Sequence, residues 1–140
     1  MAVVFKSFRL KTEAYNDVID ITNKVQKAVK ESDLQNGLVN VHIAGSTGAI
    51  STTESEPGLV KHDIENFLEK IIPYNKDYYH HQTWGDHNGA GHLRSFLLKT
   101  SQTFPFRNGK LLLGTWEQII FIENDEKARN REITVTLIGE

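Results

Sequence analysis

Thr103-Phe-Pro-Phe-Arg-Asn-Gly-Lys-Leu-Leu-Leu113 decides the class of fold. Asn108-Gly109 is a strong two-residue hairpin signal, since Asn and Gly tolerate the positive φ that such turns demand. Phe104, Phe106 and Leu111–Leu113 supply its apolar arms. A hairpin commits the neighbouring chain to antiparallel pairing. Downstream, Gly114–Glu123 reads as another strand and Asn124-Asp125 opens a turn through a charged loop. Glu132–Ile138 is a final strand with Ile133, Val135 and Leu137 on one face.

Upstream, residues 2–12 carry a mixed but β-like alternation, and Val18–Ile21 forms a short second strand. Thr22 is placed to cap a helix over residues 23–33, where Val25, Ala28 and Val29 make a narrow apolar stripe. Asn36-Gly37 ends that unit, and Gly37–Ala44 is a strand. A second helix starts near Pro57 and runs to about Ile72, with Val60, Ile64, Phe67, Leu68 and Ile71 as its buried stripe. Leu93–Lys99 resumes strand or short-helix character. The prediction is a single α+β domain over residues 1–140, mainly antiparallel, with two or three helices.

Composition narrows the chemistry. The chain has 140 residues, a net charge of −2 and no cysteine. Disulfides, cysteine-ligated zinc, iron–sulfur clusters and thiol nucleophiles are excluded together. No basic arm suggests nucleic acid. The N-terminal segment is charged too early for a signal core, and no stretch approaches the roughly 20 apolar residues of a membrane helix. A soluble cytoplasmic protein is the expectation.

Polar chemistry gathers in Tyr78-Tyr-His-His-Gln-Thr-Trp-Gly-Asp-His-Asn-Gly-Ala-Gly-His-Leu-Arg94, read as a glycine-loosened loop. Four of the six histidines lie here: His80, His81, His87 and His92. Imidazoles with a carboxylate such as Asp86 can hold zinc or another divalent metal while leaving a position open for substrate. His81 and His92 are the candidate metal ligands. Arg94 could grip a phosphate in bidentate fashion or form a surface ion pair. Gly45-Ser-Thr-Gly-Ala-Ile-Ser-Thr-Thr-Glu54 can bring amides and hydroxyls to a phosphate, although a turn followed by a Thr-rich strand fits equally well. Trp84 and Tyr78-Tyr79 read as packing residues, Arg129 and Arg131 as a solvated turn.

Taken in order, Gly45–Glu54, His62-Asp63, His81 with Asp86–Arg94, Asn108-Gly-Lys-Leu-Leu-Leu-Gly-Thr-Trp-Glu-Gln118, and Arg129-Asn-Arg131 ahead of the last strand resemble the YjbQ family, associated with secondary thiamine-phosphate synthesis. The resemblance spans nearly the whole chain. It implies an α+β domain with a β-sandwich-like core, assembly as a homotrimer, and a polar pocket near subunit contacts. The implied reaction joins a hydroxymethylpyrimidine diphosphate to a thiazole phosphate and releases pyrophosphate. Carried over by position, Glu54, His62, His81 and His92 are the implied catalytic set. Ser46, Thr47, Asn88 and Arg94 are the phosphate-binding candidates. Relatives commonly have histidine where this chain has Gly45, and Trp-Gln where it has Trp116-Glu117-Gln118. Two further functions fit the residues: a metal-dependent hydrolase or lyase of a small phosphorylated metabolite, and a non-catalytic binder of a small anion.

Overall fold

The computed structural model describes residues 1–140, and its strands pair in antiparallel fashion throughout. In chain order the elements are β1 (Ala2–Lys11), β2 (Asp17–Asp20), α1 (Thr22–Glu31), β3 (Asn36–Ile43), β4 (Gly48–Thr53), a wide π-type turn (Leu59–Asp63) leading into α2 (Ile64–Ile71), α3 (Tyr79–Trp84), α4 (Gly89–Leu98), β5 (Ser101–Arg107), β6 (Lys110–Leu111), β7 (Gln118–Glu123) and β8 (Asn130–Gly139). One sheet is ordered β1-β8-β3-β5-β6 and the other β2-β7-β4. None of the helices is long and apolar enough to cross a membrane.

The predicted hairpin is present, with Phe106 opposite Leu111. So is the predicted face of β8: Ile133, Val135 and Leu137 are fully buried. They meet Val39, Val41 and Ile43 of β3, Ile119 and Phe121 of β7, and the α1 stripe Val25, Ala28 and Val29 in the main core. β7 is apolar on both faces because both are covered. Ile119 and Phe121 enter the main core, whereas Ile120 and Ile122 join Ala49 and Leu98 beneath the later helices.

Several expectations are corrected. The histidine-rich stretch is largely helical: α3 covers Tyr79–Trp84 and α4 begins at Gly89, so there are four α-helices rather than two or three. Its glycines permit close packing. A Cβ on Gly91 would collide with the Asn124 carbonyl oxygen. Thr22 does not cap α1. Its hydroxyl accepts from the Ile119 amide at 2.9 Å, and Asp20 accepts from the Thr22 amide instead. β7 begins only at Gln118, after a turn closed by Glu117 N–H donating to Gly114 O. The α2 stripe is only partly covered, since Leu68 is buried but Phe67 is 60% exposed and Ile71 49%.

Arg94 anchors α2 to α4. Its guanidinium is fully buried and donates to Glu65 at 2.8 Å, to Glu69 at 2.8 Å, and to the Ile72 carbonyl at the end of α2. Tyr74 and Tyr15, stacked with centroids 3.8 Å apart, lie against it. Neither reading of Arg94 from sequence holds in this geometry, because every polar edge is directed inward. Burial raises the Glu65 carboxyl above its usual range, although Arg94 opposes the shift by hydrogen bonding and charge. Removing one partner from a buried ion pair strands the other. Arg94→Ala is therefore expected to lower unfolding free energy by about 3 kcal/mol in urea titrations, with Arg94→Lys intermediate because it lacks the fork. An Arg94→Ala protein as stable as wild type would contradict the anchoring role.

Candidate functional site

The site is built around two buried carboxylates at the end of β7. Glu123 is fully buried and accepts from the Thr12 hydroxyl at 2.6 Å and from the Arg131 guanidinium. Asp125, 2% exposed, accepts from Arg129 at 2.6 and 3.0 Å, from the Thr47 hydroxyl at 3.1 Å and from the Asn88 amide at 3.4 Å. Thr47 also accepts from Arg131 at 2.9 Å, and its carbonyl receives the Asn124 amide. The network therefore fixes the segment before β4 and the residue before α4 at once. Thr47, Asn88, Arg129 and Arg131 are consumed by it. That corrects the phosphate role read for Thr47 and the solvated turn read for Arg131, whereas Arg129, its side chain 45% exposed, keeps the solvated position read for it while pairing with Asp125. Arg131 and Glu123 are eight positions apart on different strands, a pairing that linear spacing does not display.

Burial alone would raise the Asp125 carboxyl. The hydrogen bond and charge of Arg129, the Asn88 amide and the Glu126 N–H outweigh it, and the group sits below its ordinary value. Burial chiefly, with the charges of Asp125 and Glu126, raises the Tyr74 phenol, which stays protonated and donates to the Asn124 carbonyl at 3.1 Å.

The histidines form a row. His80 lies 4.6 Å from His92 and 6.1 Å from His81 between ring centroids, and His81 lies 5.5 Å from His87. His80 Nδ1 and Asp86 Oδ1 are 3.2 Å apart, within ion-pair range but outside hydrogen-bond alignment. His81 Nε2 accepts the Gly89 amide at 2.9 Å, which caps the start of α4 and places the ring proton on Nδ1. His81 and His92 also open onto different clefts. One, of about 450 Å³, is bordered by Tyr15, Tyr74, Lys76, His81, His87 and Glu126. The other, of about 390 Å³, is bordered by Gly45, Ser46, His92, Ser95, Phe96, Lys99 and Thr100. No three imidazole or carboxylate groups converge as a metal set requires. Within one chain the arrangement does not fit a zinc ion held by His81 and His92.

Ser46 and His92 are brought together. Glu54 and His62 are not brought to them. β4 separates Ser46 from Glu54 by about 17 Å along the strand at 3.3 Å per residue. Glu54 is exposed at the far end, beside Ser55, whose amide donates to the Gln118 side chain at 2.7 Å. His62 is exposed on the π-type turn, roughly 15 Å along the helical axis from the Ile72 end that meets Arg94. Trp84 and Tyr79, read as packing residues, are 74% and 87% exposed.

The residue that the sequence reading passed over is Lys99. It follows α4 with φ 78° and ψ 154°, a region essentially reserved for glycine that costs a side-chain-bearing residue about 1–3 kcal/mol. Helices commonly end on glycine in a left-handed conformation, so a lysine after Leu97-Leu98 was the available signal. Gly45, across the same cleft, has φ +149°, where any side chain is strained. A histidine at this position, which the family resemblance leads one to expect, would be strained on this backbone.

The family described as "UPF0047 protein YjbQ-like" matches residues 6–140. A UPF0047 protein of Methanothermobacter thermautotrophicus is 40% identical over 140 residues, covering 100% of this chain and 95% of the relative. The Escherichia coli O157:H7 UPF0047 protein YjbQ is 31% identical over 108 residues, covering 74% of this chain and 75% of the relative. The crystal structure of a "YbjQ-like protein of unknown function" from Sulfolobus solfataricus P2 superposes with TM-score 0.91 at 34% identity, covering 99% of each chain. A hypothetical protein from Aeropyrum pernix K1 gives TM-score 0.89 at 32% identity, covering 98% of this chain and 99% of that one.

The depressed Asp125 value sets a direction for acid stability. Its folded value lies below its unfolded one, so its contribution is present above the unfolded value of about 3.9 and is lost as pH falls through the folded value. Asp125→Asn is expected to lower stability by roughly 2 kcal/mol at pH 7 and to flatten the loss on acidification, measured by urea unfolding between pH 7 and pH 3. Parallel acid profiles for the two proteins would remove Asp125 from the explanation.

Proposed function

The chain belongs to the YjbQ-like UPF0047 family, and from that premise we propose that it is a transferase acting on small phosphorylated metabolites, of the thiamine-phosphate-synthase type. The observation that supports this reading is the shared cleft of Ser46 and His92, whose border contains no carboxylate. In the reaction implied by the family resemblance, the thiazole nitrogen lone pair attacks the pyrimidine methylene carbon. The bond from that carbon to the diphosphate oxygen breaks, and its electron pair leaves with pyrophosphate. The product nitrogen becomes cationic, so no proton need leave the nucleophile. The protein's task is to stabilise charge growing on the leaving oxygen. A Ser46 hydroxyl and a His92 N–H within reach of that oxygen would supply donors in a fixed site. His81, in this scheme, holds the start of α4 and thereby places His92.

The family resemblance also suggests a homotrimer, working in the cytoplasm on its small-molecule substrates. Leu93, Phe96 and Leu97 on α4 are 43%, 74% and 48% exposed, and Phe67 and Ile71 on α2 are similarly uncovered. Such a surface suits a subunit contact. In a trimer, Glu54 and His62 of one copy would reach the Ser46–His92 cleft of the next. This reconciles the implied catalytic set with its separation inside one chain.

Turnover of the two precursors, followed as pyrophosphate release, tests the reaction. His92→Ala is expected to reduce kcat at least 100-fold, and chelator treatment to leave it unchanged. Mixed oligomers of His92→Ala and His62→Ala chains should recover part of the lost activity, because some clefts then receive both intact residues. Absence of pyrophosphate release by the wild-type protein would sink the transferase reading. A monomer in sedimentation velocity would sink the shared site.

A further inference from the structure

Lys99 is difficult to account for as a structural residue. The turn from α4 into β5 fixes its backbone on both sides: its N–H donates to Ser95 O at 2.9 Å, and its C=O accepts from Ile50 N–H at 3.1 Å. These bonds hold the residue at φ 78° and ψ 154°, where glycine is favoured. Its side chain does nothing evident to offset that disadvantage. It takes part in none of the protein's ion pairs. The ammonium rests 5.2 Å from the centre of the Phe96 ring, which is itself 74% exposed.

Its surroundings have one chemical bias. Ser46, His92, Ser95, Phe96, Thr100 and Gly45 complete the cleft, and no Asp or Glu borders it. The Ser95 hydroxyl is already given to the Gly48 carbonyl at 2.6 Å, leaving the Ser46 and Thr100 hydroxyls and the His92 ring. Arg131 approaches from below, with one guanidinium nitrogen 3.5 Å from the Cβ position of Gly45, although Glu123 balances its charge. The other arginine in the neighbourhood, Arg94, is enclosed by Glu65 and Glu69. A concave surface with a free ammonium and no opposing carboxylate concentrates positive potential.

We infer that Lys99 is the principal cation of a phosphate subsite in this cleft, and that its glycine-type backbone conformation is tolerated because it keeps the lysine on the border that Ser46 and His92 share. The ligand class is the phosphate or diphosphate group of a small metabolite. The inference rests on reading this cleft as the substrate site, and it names the group that would hold the phosphate end. A subsite of this kind carries a trade-off: the binding residue is not the one that would make the fold most stable.

That trade-off provides the test. Binding of inorganic phosphate and of pyrophosphate is measured by calorimetry on the full-length protein, alongside thermal unfolding without ligand. Lys99→Gly is expected to raise the melting temperature by about 3 °C as the backbone relaxes. It should weaken pyrophosphate binding by about tenfold or more, the scale of one lost charge-assisted bond. Lys99→Ala keeps the strain and loses the charge, so it should bind as weakly as Lys99→Gly without the gain in melting temperature. Lys99→Arg should bind within about threefold of wild type. The inference falls if Lys99→Gly or Lys99→Ala binds pyrophosphate as tightly as wild type, or if wild type binds neither anion. It falls equally if Lys99→Gly melts below wild type, which would make the lysine structural. A wild-type protein that binds pyrophosphate through Lys99 but does not turn over the thiamine precursors would overturn the transferase reading and uphold the subsite.

Discussion

The pairing of Glu123 with Arg131, and of Asp125 with Arg129, is the constraint on which the rest of this end of the molecule depends. Two carboxylates at the end of a strand that is apolar on both faces would be costly alone. They are tolerated because each receives a guanidinium and further donors, from Thr12 in one case and from Thr47 and Asn88 in the other. The partners come from the ends of β1, β4, β8 and α4. Chain segments far apart in sequence are thereby fixed at one point. Replacing any single member leaves charge or hydrogen-bonding capacity unmet in a buried place, so these residues act as a unit.

This network also determines what is left for function. It absorbs Thr47, Asn88, Arg129 and Arg131, while Arg94 is absorbed separately by Glu65 and Glu69. Most groups that look suited to phosphate in the linear sequence are therefore committed to holding the fold. What remains at the adjoining cleft is sparse: the Ser46 and Thr100 hydroxyls, the His92 ring and the Lys99 ammonium. The two roles share the same segments. Ser46 precedes the residue clamped by Asp125 and Arg131, and His92 lies in the first turn of the helix that Asn88 leads into.

Much of the fold was legible from sequence because its signals are local. Asn108-Gly109 fixed the hairpin, the alternation of Ile133, Val135 and Leu137 fixed the inner face of β8, and Val25, Ala28 and Val29 fixed the buried side of α1. The site was legible mainly as an address. The density of histidines marked residues 78–94 and could not say which groups turn inward. Gly89 and Gly91 suggested a loose loop, whereas Gly91 lets α4 close on the Asn124 carbonyl. Arg94 and Thr47 were assigned to a ligand on residue type, while their partners Glu65 and Asp125 come from elements whose juxtaposition is tertiary. Glu54 and His62 belong to the same motif pattern, yet β4 and α2 carry them to the opposite end of the chain's own framework.

Two chain reversals border the Ser46–His92 cleft, and they treat the same physical difficulty differently. Gly45 takes a conformation suited to glycine and is glycine, so the approach to β4 carries no side-chain strain. Lys99 takes a conformation suited to glycine and is not, so the exit from α4 does. Propensity, burial and pairing together would favour glycine at both. The difference between them cannot come from the turn, which the Ser95 and Ile50 hydrogen bonds enforce whatever the side chain. We attribute it to what the side chain does beyond the turn: the ammonium, held over the Phe96 ring at 5.2 Å, belongs to the border of the cleft that Ser46 and His92 share.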